Sequence, residues 1–174
     1  MNWNIVFTES LATGLGLSLI LTILVIASML INKEMWLDDY PPDVRARWGP
    51  ISPKARRQHT LMAVLSFGVL IGALVYDLIR LALALGAPPT LLEVFTSVVI
   101  MFGLFNLFDA IIIDWLILLV LWPGLAVLPG TEGMMASYRD VRYWAINLLK
   151  GFVFAPVAGL VTAVVVYVVR WIAG

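Results

Sequence analysis

The sequence contains no cysteine. Disulfides, thiolate metal ligands and cysteine nucleophiles are therefore excluded, and the redox compartment stays open. Histidine occurs once, as His59 in a basic stretch, which excludes a multi-histidine metal site and a haem held by two histidines of one chain. Net charge is missing too: eleven Lys and Arg balance eleven Asp and Glu, so no overall field recruits nucleic acid or an anionic substrate. Glycine-rich phosphate loops, GxSxG and HExxH are absent, and no cofactor is expected. What the chain has in excess is apolar residues, at 62%, against roughly 45–50% in soluble domains. That excess points to a membrane.

Residues 1–10 carry no Lys or Arg, so the basic segment of a secretory signal is missing. The apolar run at 11–31 is too long for a signal core. It reads as the first of four spans, at about 11–31, 61–85, 91–122 and 144–172. The segment 32–60 holds Lys33, Arg45, Arg47, Lys54, Arg56 and Arg57, six of the eleven basic residues, and is expected to be a cytoplasmic loop. Loop 86–90 has none, and 123–143 has Arg139 and Arg142. Alternation then puts both termini outside the cytoplasm. The expected fold is all-α, a single polytopic membrane domain of four transmembrane helices with the lipid bilayer as its first partner.

Local signals refine this. Thr8 to Ser10 look like a helix start. Pro41, Pro42, Pro50 and Pro53 preclude one continuous helix in the first loop. Gly14, Gly16 and Ser18 make a thin edge, and Gly68 with Gly72 forms a GxxxG pair. Gly151, Ala155, Gly159 and Ala163 recur every four residues, a stripe for close helix approach. Pro156 predicts a kink. The segment 131–143 places Met134, Tyr138 and Val141 on one face, an interfacial amphipathic pattern. No internal repeat is visible, which argues against an inverted-repeat transporter within one chain.

The third span carries Asn106, Asp109 and Asp114. A carboxylate near the middle of a membrane helix costs at least about 2.5–3.5 kcal/mol, so such groups need partners, water or a task. On an α-helix they cover one face about 140° wide. The functional reading is a proton or cation site, or the carboxylate part of a catalytic site; the structural one is interhelical bonding that fixes packing. Lys150 and Asp114 lie within a few Å in depth at about 1.5 Å per residue. A direct pair is expected, with a snorkelling Lys150 as the alternative. Asp77, Arg80 and Glu93 share the outer level and are expected to form a local salt-bridge cluster, or else an outer entrance. Glu132, Tyr138 and Asp140 are candidates at the cytoplasmic interface. With Asp38, Asp39 and Asp43 the loops offer oxygen ligands for Mg²⁺ against a lipid phosphate, with Arg45 or Arg139 on the same phosphate. The spacing matches no metal motif, so solvated loop charge is the simpler reading and no metal is expected.

The motifs DYPPD at 39–43, NxxDxxxxDW at 106–115 and PGTEG at 129–133 resemble a group of small four-span bacterial membrane proteins. The resemblance covers most of the chain from the first loop onward. It implies the fold and topology above and the bacterial cytoplasmic membrane, and it brings no known activity. Members of that group often carry a His in the segment after the YxD, where this chain has Tyr143 and Trp144, so a role for that His does not carry over. Three functions compete: proton- or cation-coupled transport through Asp109 and Asp114, as a homo-oligomer because four helices enclose little cavity; an accessory subunit of a larger membrane complex, docked through the stripes of spans two and four; and a membrane-embedded enzyme acting on lipid.

Overall fold

Proline and apolar length decide where the helices begin and end. The computed structural model describes residues 1–173. Gly174, which the charge pattern puts outside the cytoplasm, lies outside the described residues. Helix α1 covers Trp3–Asn32, and a 3₁₀ segment continues it over Lys33–Asp39. Helix α2 is Pro42–Trp48, α3 is Pro53–Leu85 and α4 is Leu91–Phe108. Winding continues as a π-helix over Asp109–Leu121. The short α5, Pro123–Ala126, and α6, Met135–Tyr138, precede α7, Val141–Ala173. Among the described residues there is no strand, and four helices are long and apolar enough to cross a membrane.

Several boundaries move from their expected places. Helix α1 starts at Trp3, and the Thr8 and Ser10 hydroxyls turn back onto the Asn4 and Val6 carbonyls, at 2.8 and 2.6 Å. Helix α3 starts at Pro53, so Lys54, Arg56, Arg57 and His59 ride on its first turns and the true loop is shorter than 32–60. Proline suits such starts because its missing N–H would be unpaired there anyway. Helix α3 ends at Gly86, whose φ of 65° is the left-handed conformation a helix stop prefers. Segment 131–143 is not one amphipathic helix. A 3₁₀ turn and α6 end at Arg139, Val141 is exposed, and Asp140 Oδ1 accepts the Arg142 N–H (2.9 Å) as the cap of α7. Helix α7 continues past Pro156.

The chain divides into two compact units. The first comprises Met1–Ser18, Leu70–Leu107 and Leu148–Gly174. Its helices meet through small residues. A Cβ on Gly14 would stand 3.1 Å from the Met101 carbonyl oxygen, and one on Gly159 would stand 3.0 Å from that of Phe95. Ala155 and Ala163 are buried on the same side of α7 as Gly159, so the span-four stripe is used within the chain, against α4. Val6, Leu17, Leu81, Val94, Val98 and Met101 fill the interior. Thr90 and Glu93 cap α4 reciprocally: the Thr90 N–H donates to Glu93 Oε2 (2.7 Å), and the Glu93 N–H donates to Thr90 Oγ1 (3.3 Å).

The second unit comprises Leu19–Val69 and Phe108–Asn147. Here the segments on either side of α2 fold against those around α5 and α6. Leu37, Tyr40, Val44, Leu119, Leu128 and Tyr138 form one buried cluster, with Tyr40 and Tyr138 ring-edge to ring-face. Lys33 Nζ donates to the carbonyls of Gly124 (2.6 Å) and Val127 (2.9 Å), and Tyr40 donates to that of Ala126 (2.7 Å). Burial pushes the Tyr40 phenol well above its ordinary value, which keeps it a donor. The Glu34 carboxylate accepts from the Ser52 N–H and hydroxyl at 2.7 and 2.8 Å.

Tyr138 is central to that unit. Its oxygen accepts the Leu128 N–H at 3.1 Å and pairs with Thr131 Oγ1 at 2.7 Å, all buried. Tyr138→Phe strands the Leu128 donor and is expected to cost about 1–3 kcal/mol. Thermal unfolding in detergent measures this; an unchanged midpoint would show that the hydroxyl is dispensable.

Outside these interiors the spans are lined with exposed apolar side chains such as Leu19, Ile23, Phe67, Leu83, Phe154 and Val161. An apolar surface of that extent suits lipid, where a helix can meet its backbone hydrogen bonds within the segment.

Candidate functional site

The third span changes winding at its polar residues. From Asp109 the helix is π-wound for 13 residues, closed by Trp122 N–H donating to the Ile117 carbonyl at 2.7 Å, five residues back. Such winding is rare, is mostly confined to single turns, and is frequent at functional sites. Pro123 supplies no amide to continue it. The apolar side of the turn is anchored: Ile113 and Leu118 are buried against Met29, Leu125 and Ala126.

This winding alters the acid pair. On an α-helix Asp109 and Asp114 are about 140° apart. With hydrogen bonds running between residues five apart, a separation of five is close to one full turn. The two carboxylates therefore share a face, one above the other, where the α-helical reading spread them widely. Both are half-buried. Asp109 is within electrostatic reach of Asp114, and Asp39 acts on both. Asp39, at the end of the 3₁₀ segment, is exposed, and its backbone carbonyl accepts the Tyr143 hydroxyl at 2.7 Å. The acids thus run from an exposed carboxylate at the rim to two within the apolar span. Carboxylates so placed hold a proton or attract a cation, because mutual repulsion and lost hydration both disfavour charge on all of them. Among the described residues no three His, Cys, Asp or Glu side chains converge to hold a metal ion. A cation or a proton is the chemistry this geometry suits.

His59 lies beside the same rim, acting on Asp39. Its Nδ1 is 2.7 Å from the Met35 carbonyl oxygen and its ring meets Trp36 edge-on. A carbonyl only accepts, so Nδ1 carries the hydrogen of that bond.

Several of the other candidates have local partners. Asn106 Nδ2 donates to the Leu148 carbonyl at 3.0 Å, and a Cβ on Gly151 would fall 1.8 Å from Asn106 Oδ1. Asn106 is a clasp between α4 and α7. Lys150 belongs to the first unit and Asp114 to the second. The outer trio does not form the expected cluster. Arg80 pairs with Glu9 (Nε to Oε2, 3.0 Å), Glu93 caps α4, and Asp77 is fully buried with its Oδ2 hydrogen-bonded to the Ser97 hydroxyl. Glu132 accepts the Gly130 N–H at 2.9 Å, which holds its carboxyl below the usual range. Tyr138 is core and Asp140 a helix cap, so the three interface candidates are engaged locally. Asp43 accepts from the Ser137 hydroxyl, which lowers its carboxyl likewise.

Sequence spacing marks Asp39 only as a loop acid, because its approach to the acid pair needs the fold of the loop, and it does not join Glu9 to Arg80, 71 positions away. No family model, curated protein or solved structure matches the chain.

Proposed function

We propose that this is a small membrane protein of cation- or proton-coupled transport, in which Asp109 and Asp114 form a single binding site reached past Asp39. The observation that carries the reading is the π-wound turn, which stacks two carboxylates on one face of an apolar span. An intramembrane acid is costly, and a second one a turn away costs more; a proton or cation shared between them offsets both. The chain works as an oligomer in the bacterial cytoplasmic membrane, with the basic first loop in the cytoplasm and both termini outside.

The test is reconstitution of the intact chain into liposomes carrying an imposed pH or Na⁺ gradient. Net cation movement above that of protein-free liposomes is expected, and Asp109→Asn should remove it. A wild-type chain as silent as empty liposomes under both gradients would reject transport.

One observation favours a second reading, an accessory subunit. Gly68 and Gly72 face open space on α3, whereas the α7 stripe is already used within the chain. Helix α3 thus presents a small-residue face open to another membrane helix. Co-purification of a stoichiometric partner, lost on Gly72→Leu, would support that reading over transport.

A further inference from the structure

The first unit holds a buried acid that the acid pair of the π-helix does not involve. Asp77 on α3 is fully buried, as are Ser10 on α1 and Ser97 on α4. Three hydrogen bonds join them in a line. Ser10 Oγ lies 2.6 Å from the Val6 carbonyl oxygen and 2.6 Å from Ser97 Oγ, and Ser97 Oγ bonds to Asp77 Oδ2. Each link needs one hydrogen. The carbonyl at one end accepts only, and each serine supplies one hydrogen. Two serines therefore furnish two hydrogens for three links, and the third has to sit on Asp77. Thr13 lies beside the same carboxyl, but its hydroxyl hydrogen goes to the Glu9 carbonyl at 3.0 Å. Asp77 Oδ1 is buried without a hydrogen-bond partner. As the carbonyl oxygen of a neutral acid that atom is far cheaper to leave bare than as half of a carboxylate.

A metal cation fits these distances poorly. Oxygens bound to one cation at about 2.1–2.6 Å in ordinary coordination angles stand about 2.9 Å or more apart. Separations of 2.6 Å are those of O–H···O hydrogen bonds. The charges carried by the other elements of this unit are engaged elsewhere. Glu9 on α1 pairs with Arg80 on α3, Glu93 on α4 bonds to Thr90, and Arg170 on α7 donates to the Pro89 carbonyl at 2.8 Å. Lys150 lies twenty positions before Arg170 along α7.

We infer that Asp77 is a proton-binding site, holding a neutral carboxyl at the end of a serine chain that runs Asp77 to Ser97 to Ser10 to the Val6 carbonyl. Loss of the proton reverses the chain: Ser97 then donates to Asp77, Ser10 donates to Ser97, and the link to Val6 opens. One proton leaves, no bond other than O–H is broken, and two hydroxyls rotate. The Glu9–Arg80 pair, one turn from Asp77 on α3, stands beside the site. The inference is independent of Asp109 and Asp114.

Infrared spectroscopy of the reconstituted full chain at neutral pH tests it, in an Asp109→Asn/Asp114→Asn background that removes the two acids of the π-helix. The carbonyl stretch of one protonated carboxyl per chain is expected, absent after Asp77→Asn. An asparagine amide donates to Ser97 in the same place, so that variant should keep its fold. Ser97→Ala removes the hydrogen bond without removing the acid and should shift the same band. A spectrum unchanged by Asp77→Asn overturns the inference. So does a band that Ser97→Ala leaves unmoved, a reading that holds even where Asp77→Asn fails to fold.

Discussion

Gly151→Ala should lower the unfolding temperature of the detergent-solubilised protein, and Asn106→Ala in the same chain should restore most of the loss. The added methyl would sit 1.8 Å from Asn106 Oδ1 and 2.2 Å from its Cγ. One of the two has to leave. If Asn106 rotates away, its bond to the Leu148 carbonyl is broken; if the helices separate, contacts along the whole stripe loosen. Overpacking of this kind typically costs about 1–3 kcal/mol. Shortening Asn106 opens the space, so the two effects are strongly non-additive. At Gly159 the obstacle is the Phe95 backbone carbonyl, at 3.0 Å, which no shortening of Phe95 removes. Gly159→Leu should therefore destabilise without a comparable rescue, while Val165→Leu on the exposed side of α7 should be nearly silent. Equal unfolding temperatures for Gly159→Leu and Val165→Leu would show that the stripe is not an interface.

Asp109→Asn and Asp114→Asn should each reduce cation movement by about tenfold or more, and the double variant should be no worse than either single one. Groups that act as a unit lose most of their effect when the first is removed, so their losses do not multiply. Independent acids would instead give a double variant weaker than both. Asp39→Asn, at the exposed rim, removes attraction without removing the site and should slow entry by a smaller factor. That factor should shrink further at high salt, because exposed charges are screened.

Much of the architecture is legible in the composition and spacing of the chain. Four apolar runs of spanning length, the four-residue spacing from Gly151 to Ala163 and the prolines at 42 and 53 each act locally, so each can be read without the fold. The acid site is legible in part. Asp109 and Asp114 stand out because charge is rare in an apolar run, but their mutual placement depends on winding. A π-helix has no side-chain signature as plain as the 3.6-residue period, so the α-helical reading put the two acids too far apart. Arg80 shows a different limit. Its nearest acid along α3 is Asp77, three positions away, but its partner Glu9 arrives from another helix. Asp77, relieved of that pairing, is buried among serines instead. Glu93 was readable after all: Thr90-Leu-Leu-Glu93 is a capping box, and a local cap accounts for it without any cluster.

The most direct measurement is the initial rate of internal pH change in liposomes under an imposed proton gradient, with equal amounts of wild-type and Asp109→Asn/Asp114→Asn protein reconstituted. The wild-type rate should stand well above that of protein-free liposomes, and the double variant should match protein-free liposomes while its unfolding temperature shows it folded. A folded double variant that moves protons as fast as the wild type would contradict the assignment of the acid pair as the coupling site.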